Sequence, residues 1–356
     1  MSSSSFQPLR IAVLTHIKHP IRQPFAGGLE AFTHDVTSGL MQRGHDVTLF
    51  ASSSSDPALN VVPLWDDSGY DEGRRTCLSS EYIEEHHAYL KAMQGMDDHG
   101  FDVIFNNSLH YVPVTMASMM RTPMLTVLHT PPFFELINAL RSDRRTGRFA
   151  TISDANAREW ASVVSECEVI PNGIDLQTWS PRSAPQEHAI WFGRLVPDKG
   201  AHLAMDAAKL AGVPLRLAGQ AVDTRYFNEQ IKPRLSDQCR YLGHLSRDVL
   251  VEEVAIASAA LITPCWEEPF GLVVAEALAC GTPVAAFKRG AIGDLLTDDT
   301  GTLAAPDDVA GLAQALRSAR RKSRLACRLR AETQWSHGLM LDRYEALLHK
   351  VARPGE

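Results

Sequence analysis

The segment Trp266-Glu267-Glu268-Pro269-Phe270-Gly271-Leu272-Val273-Val274-Ala275-Glu276 sets Glu276 eight positions after Glu268, with a glycine between them. The apolar run Ala260-Leu261-Ile262 before it predicts a strand, so Glu268 falls in the following loop and Glu276 inside the next helix. After Pro269, the backbone N–H groups of Phe270-Gly271-Leu272 would lie at the start of that helix, where anions and oxygen-rich ligands are favoured. A carboxylate accepts two hydroxyl hydrogen bonds, which suits the vicinal diol of a sugar or ribose. The alternative is a capping carboxylate and a solvated helix glutamate. A second set lies in Phe192-Gly193-Arg194-Leu195-Val196-Pro197-Asp198-Lys199-Gly200, with Arg194 after a strand and Lys199 opening the next helix. Two cations at such a turn suit a pyrophosphate, the guanidinium as a fork and the ammonium as a point charge. A solvated turn with surface charges is the competing reading.

The paired Gly27-Gly28 precedes the first long helix and would let the backbone approach a ligand closely, or simply form a turn. It is no dinucleotide fingerprint, because G-x-G-x-x-G is absent. His129 directly follows the run Leu125 to Leu128, a position for a hydrogen-bonding or acid–base group or for a structural histidine. Phe133 and Phe134 wall an acceptor pocket or, the better expectation, pack in the core. Arg141, Arg144, Arg145 and Arg148 form a basic run, read as a solvated face, with anionic acceptors or lipid headgroups as the alternative. His86 and His87, beside Glu84 and Glu85, are expected on a helix surface.

Absences narrow the chemistry. H-E-x-x-H, G-x-x-x-x-G-K-[ST] and G-x-S-x-G do not occur. There is also no Asp-x-Asp, the compact pair that holds a divalent ion on a nucleotide diphosphate, so no metal ligand is assigned. Lys+Arg 35 against Asp+Glu 42 leaves a net charge of −7, which points away from nucleic acid. Cys77, Cys167, Cys239, Cys265, Cys280 and Cys327 are scattered, with no C-x-x-C, and read as reduced thiols. The start Met1-Ser2-Ser3-Ser4-Ser5 lacks a basic n-region, and no apolar run approaches the length of a membrane span. The expected location is the cytoplasm.

The elements that must hold these residues alternate between strand and helix along the chain. Predicted strands are Arg10–Thr15, Asp46–Phe50, Val103–Phe105, Leu125–Leu128, Ala150–Ile152 and Val169–Ile170, with a helix over Glu30–Arg43 closed by Gly44. Residues 175–188 carry Pro181, Pro185 and several polar residues without periodicity, which reads as a linker. A second series follows at Ala189–Phe192, Leu215–Ala218, Arg240–Leu242, Ala260–Ile262 and Val284–Phe287. The expected architecture is α/β: two doubly wound domains, 1–174 and 189–338, facing a central cleft. An amphipathic helix at about 339–356 is expected to pack back on the first domain. Ligands in such sheets bind beyond the carboxyl ends of the strands, where the residues above lie.

Taken together, these residues resemble the family 4 retaining glycosyltransferases of GT-B fold (glycosyl transferases group 1). Gly27-Gly28-Leu29-Glu30 and Arg43-Gly44-His45-Asp46-Val47-Thr48-Leu49 resemble the family's opening, and Val169-Ile170-Pro171-Asn172-Gly173-Ile174-Asp175 its interdomain segment. Gly193-Arg194-Leu195 with Lys199-Gly200 resembles the diphosphate turn, and Glu268 to Glu276, continuing through Cys280-Gly281-Thr282-Pro283, the donor-site E-x7-E motif. The resemblance implies two Rossmann-like domains. It implies that Glu268 meets hydroxyls of the transferred sugar, Glu276 meets the ribose, and Arg194 and Lys199 hold the diphosphate. The loop at Gly27-Gly28 would close over it, with His129 near the donor sugar. Asp294 stands where family members more often carry Glu. The expected activity is metal-free, cofactor-free transfer of a hexose from a nucleotide diphosphate sugar, UDP-glucose first, to an acceptor hydroxyl. The acceptor, whether small molecule, glycan or lipid-linked, is left open, because residues 52–81, with Trp65 and Tyr70, match no family motif. A sugar-nucleotide 2-epimerase and a non-catalytic nucleotide-sugar-binding subunit are the competing readings.

Overall fold

The computed structural model describes residues 7–66, 80–141, 147–182 and 185–353. Tyr70, Cys77, Arg144 and Arg145 lie outside the described residues. The chain forms two compact units, residues 1–171 with 340–356, and residues 172–339. Residues 175–188 fall inside the second unit.

The first unit carries seven strands: β1 Arg10–Thr15, β2 Asp46–Ser52, β3 Val61–Trp65, β4 Val103–Asn107, β5 Met124–Leu128, β6 Arg148–Thr151 and β7 Glu168–Val169. They form one sheet in the order β3-β2-β1-β4-β5-β6-β7. The pairings are all parallel, with Ala12 opposite both Thr48 and Ile104. The central strands β4 and β5 are buried throughout and mostly apolar, as a parallel sheet covered on both faces requires, with Asn106, Asn107 and Thr126 as the polar exceptions. The edge strand β3 escapes a periodicity reading because Pro63 interrupts it, and an edge is where a strand tolerates proline.

The second unit repeats the plan with β8 Ala189–Phe192, β9 Leu215–Ala218, β10 Cys239–Tyr241, β11 Ala260–Ile262, β12 Val284–Phe287 and β13 Gly301–Ala304. Their order is β10-β9-β8-β11-β12-β13. In sequence terms the second sheet runs 3-2-1-4-5-6, the doubly wound Rossmann order, and the first sheet runs the same way with a seventh strand added. That order reverses direction between β1 and β4 in one sheet and between β8 and β11 in the other. The residues immediately after those four strands are therefore where ligands are expected.

The chain's last helix, His337–Ala352, belongs mostly to the first unit, and packing explains why. A Cβ on Gly39 would come within 2.4 Å of Leu341 Cδ1, so glycine lets this helix lie close against Gly28–Gln42. Tyr344, fully buried, packs its ring against Phe32 and Phe105. Arg43 pairs with Asp342 at 2.6 Å and Glu345 at 2.5 Å. The Leu9 N–H donates to His45 Nδ1, which leaves Nε2–H of His45 to meet Glu345 at 3.1 Å.

Candidate active site

In the second unit the two loops flanking the β8/β11 reversal are stitched together. The turn Pro197–Lys199 ends at Gly200, whose φ of +63° is left-handed, and a Cβ there would lie 2.2 Å from the Thr263 carbonyl oxygen. Only glycine permits both. Thr263 Oγ1 accepts the Trp191 indole N–H at 3.0 Å and stands 2.9 Å from the Gly200 carbonyl oxygen, to which it donates. The Cys265 N–H donates to the Asp198 carbonyl at 2.8 Å. This fixed frame sets Lys199 Nζ 2.7 Å from Glu268 Oε2, while the Trp266 indole N–H donates to the same oxygen at 3.1 Å. Lys199 also lies over the Trp266 ring, 5.0 Å from its centroid, a cation–π distance.

From the other side, the loop after β12 supports Glu268. Ala291 N–H donates to the Glu268 carbonyl, Gly290 N–H donates to Glu267 Oε2 at 2.6 Å, and Arg289 pairs with Asp307 at 2.6 Å. Glu268 is therefore no helix cap. The helix Leu272–Ala279 begins at Gly271, with φ of +91° and no side-chain cap. Its first N–H groups start just past Glu268, adding positive potential there. Pro269 is buried, Phe270 is buried edge-on to Trp335, Leu272 after Gly271 is half-buried, and Glu276 sits half-buried within the helix. Gly193 follows β8 directly, and Arg194 beside it is exposed. The helix expected to open at Lys199 starts two residues later, at Ala201, because left-handed Gly200 breaks the path.

The first unit assembles a different group beyond β1, β4 and β5. His129, buried, lies 2.8 Å through Nε2 from Oδ1 of fully buried Asn107. The Phe32 ring meets the imidazole at 4.7 Å and 65°. Burial, with the neighbouring His16, pushes the His129 pKa down to about 3, so the ring is neutral at ordinary pH. His16 Nε2 lies 3.2 Å from Glu30 Oε1, both side chains buried. Burial opposes the Glu30 charge, yet the His16 contact holds its carboxyl below the usual range. Gly27 and Gly28 stand at the start of the helix that carries Glu30 and Phe32. Asn107, His16 and Trp266 are absent from the sequence-derived set. Asn107 and His16 each sit at a strand's carboxyl end, where the strand rule points.

Other expectations are corrected. Phe133 joins the packed cluster around Leu136 and Trp160, but Phe134 is 78% exposed, because the short helix Phe134–Leu140 turns that position outward. Glu85 and His86 are not surface groups. Glu85 is buried against Lys18 at 2.5 Å, and His86 binds the Tyr111 hydroxyl, because the helix Ser80–Met96 turns this face toward the loops after β1 and β4. Glu84 and His87 are exposed. Arg141 and Arg148 are exposed, Arg148 within 3.7 Å of Glu166. Of the described thiols, Cys239, Cys280 and Cys327 are buried and none is in a disulfide. No helix among the described residues is long and apolar enough to cross a membrane.

Known proteins share both halves of this arrangement. Residues 26–178 match the Glycosyltransferase Family 4 model, and residues 180–334 match Glycosyl transferases group 1. Glycogen synthase of Mycobacterium tuberculosis is 28% identical over 87% of this chain and 88% of its own. D-inositol 3-phosphate glycosyltransferase of Mycolicibacterium smegmatis is 25% identical over 97% and 91%. Among solved structures, sucrose-phosphate synthase from Thermosynechococcus elongatus superposes with a TM-score of 0.79 at 19% identity, over 97% of this chain and 99% of the other. Anabaena HepE, in complex with UDP and glucose, superposes at 0.76 and 21% identity, over 96% and 99%. With two doubly wound sheets and loops of this composition beyond their strands, the chain belongs to the family 4 glycosyltransferases of GT-B fold.

Proposed function

We propose that the protein transfers a hexose, with glucose from UDP-glucose as first choice, to an acceptor hydroxyl with retention of anomeric configuration and without a metal ion. The observation that carries this reading is the pairing of Lys199 with Glu268 beside the N-terminus of the helix Leu272–Ala279. As the bond from the anomeric carbon to the diphosphate breaks, negative charge grows on the departing oxygen and must be stabilised. Lys199, Arg194 and that helix start supply fixed positive potential where other enzymes use a cation. Glu268 accepts hydrogen bonds from sugar hydroxyls, and Glu276 binds the ribose. The acceptor oxygen bonds to the anomeric carbon on the face the diphosphate leaves, and its proton passes to a diphosphate oxygen. His129 contacts the sugar without forming a covalent bond. The backbone at Gly27-Gly28 approaches the diphosphate. The UDP and glucose bound to Anabaena HepE accord with the choice of donor.

The test is a panel of UDP-, GDP- and ADP-sugars with an acceptor library, run in excess chelator, reading nucleotide diphosphate release by mass spectrometry and product anomer by NMR. Release with a retained anomer is expected. Loss of activity in chelator, restored by magnesium or manganese, overturns the metal-free reading. An altered donor sugar without transfer points to a 2-epimerase instead, and donors left intact point to a binding subunit.

A further inference from the structure

We propose that Asn107 is a positioning residue that holds His129 as its Nε2–H tautomer, leaving Nδ1 to accept a hydrogen bond from a hydroxyl of the transferred sugar. This rests on the reading of His129 as a sugar contact and adds to it a direction of hydrogen bonding and the residue that imposes it.

The argument begins with the amide. Asn107 Nδ2 donates to the Phe105 carbonyl at 3.3 Å, so the atom turned to His129, 2.8 Å away, is the carbonyl oxygen Oδ1. An amide oxygen has no proton to give, and the imidazole must donate to it. Nε2 of His129 therefore carries the hydrogen. Asn107 is fully buried on β4, which leaves water little chance to replace it, and Phe32 braces the ring from the helix Gly28–Gln42. The titratable groups nearest the imidazole are His16 beyond β1 and, behind it, Glu30 on that helix. His16 raises the cost of a second proton on His129, and burial raises it further. What remains on the ring is one lone pair. A hydroxyl donates to a lone pair, whereas an ionised phosphate or carboxylate repels it. His129 thus favours a neutral hydroxyl at this point and is excluded as a general acid near neutral pH.

The experiment uses the full chain labelled with 15N-histidine, with two-bond proton–nitrogen spectra recorded from pH 5 to 8 and the His129 signals assigned by their loss in His129→Gln. The expected spectrum has Nε2 protonated, Nδ1 bare and no titration over that range. A second arm uses Asn107→Asp, whose carboxylate stabilises the imidazolium and brings its ionisation into the assay window. In that variant kcat/KM for the donor should fall about tenfold per pH unit below the new midpoint, while at pH 9 it stays within ~3-fold of wild type. A purely structural role would lower it equally at every pH. An Nδ1–H tautomer, or a pH profile of Asn107→Asp parallel to wild type, overturns the proposal. Undiminished turnover by His129→Gln removes the sugar-contact reading itself, and the proposal with it. A wrong tautomer alongside an inactive His129→Gln overturns the tautomer lock alone.

Discussion

Beyond β8 and β11 the second unit gathers charge: Lys199 and Glu268 pair while both remain partly open to solvent, on backbone pinned by Gly200, Thr263 and Cys265. Beyond β4 and β5 the first unit does the reverse, burying a neutral histidine against an amide. The same sheet order underlies both. The difference follows from solvation. A charge-assisted pair near water can exchange partners with a charged ligand. A fully buried imidazole sheds its proton and becomes a fixed hydrogen-bonding group. One region presents charge and the other a neutral imidazole, which under the proposed function suits them to a diphosphate and to sugar hydroxyls respectively.

The comparison breaks most readily at Glu268. Glu268→Ala is expected to lower kcat/KM by about 10³-fold, in the range for groups acting on the transition state, with the thermal midpoint nearly unchanged because loop carboxylates contribute little stability. Glu276→Ala should instead raise the KM for the donor; equal, mild effects of the two variants in steady-state assays would remove the assignment. Lys199→Ala should cost about 10²-fold in kcat, and magnesium should not restore it if fixed charge replaces a metal.

The buried side of the comparison is sharpened by acid. His129, with a pKa of about 3 when folded, takes up its proton on unfolding, so its contribution to stability is intact above the ordinary histidine value and is lost as pH falls from there toward 3. At pH 5 the loss is about 2 kcal/mol relative to pH 7. Urea unfolding of His129→Gln should show a pH dependence shallower by that amount, and parallel curves would contradict it. The smallest expected effect is at Gly28, where a Cβ would meet nothing within 4 Å. Gly28→Ala should leave the melting temperature unchanged and lower donor kcat/KM by about tenfold if the backbone there approaches a ligand. Unchanged kinetics would make the residue a turn and nothing more.

Much of this was legible in the residues themselves. The strands Arg10–Thr15, Ala189–Phe192, Leu215–Ala218, Ala260–Ile262 and Val284–Phe287 coincide with apolar runs, because a sheet buried on both faces imprints its length directly on composition. Strands β3 and β13 were not legible, since Pro63 breaks one apolar run and Gly301 opens the other, irregularities that these edge positions tolerate. That Glu268, Arg194 and Lys199 stand in the segments following β11 and β8 was legible because the strands before them are short apolar runs.

Asn107 and Trp266 were not, and the reason is physical. Polar residues at strand ends are common, and what distinguishes Asn107 is its partner 22 residues away on the neighbouring strand's end. Likewise the sequence placed Lys199 and Glu268 in separate motifs 69 positions apart, and only the parallel pairing of β8 with β11 brings them to 2.7 Å. Local spacing determines which residues stand at the carboxyl ends of strands. Which of them share a proton or a charge depends on strand order, and strand order is decided by the packing of the whole sheet.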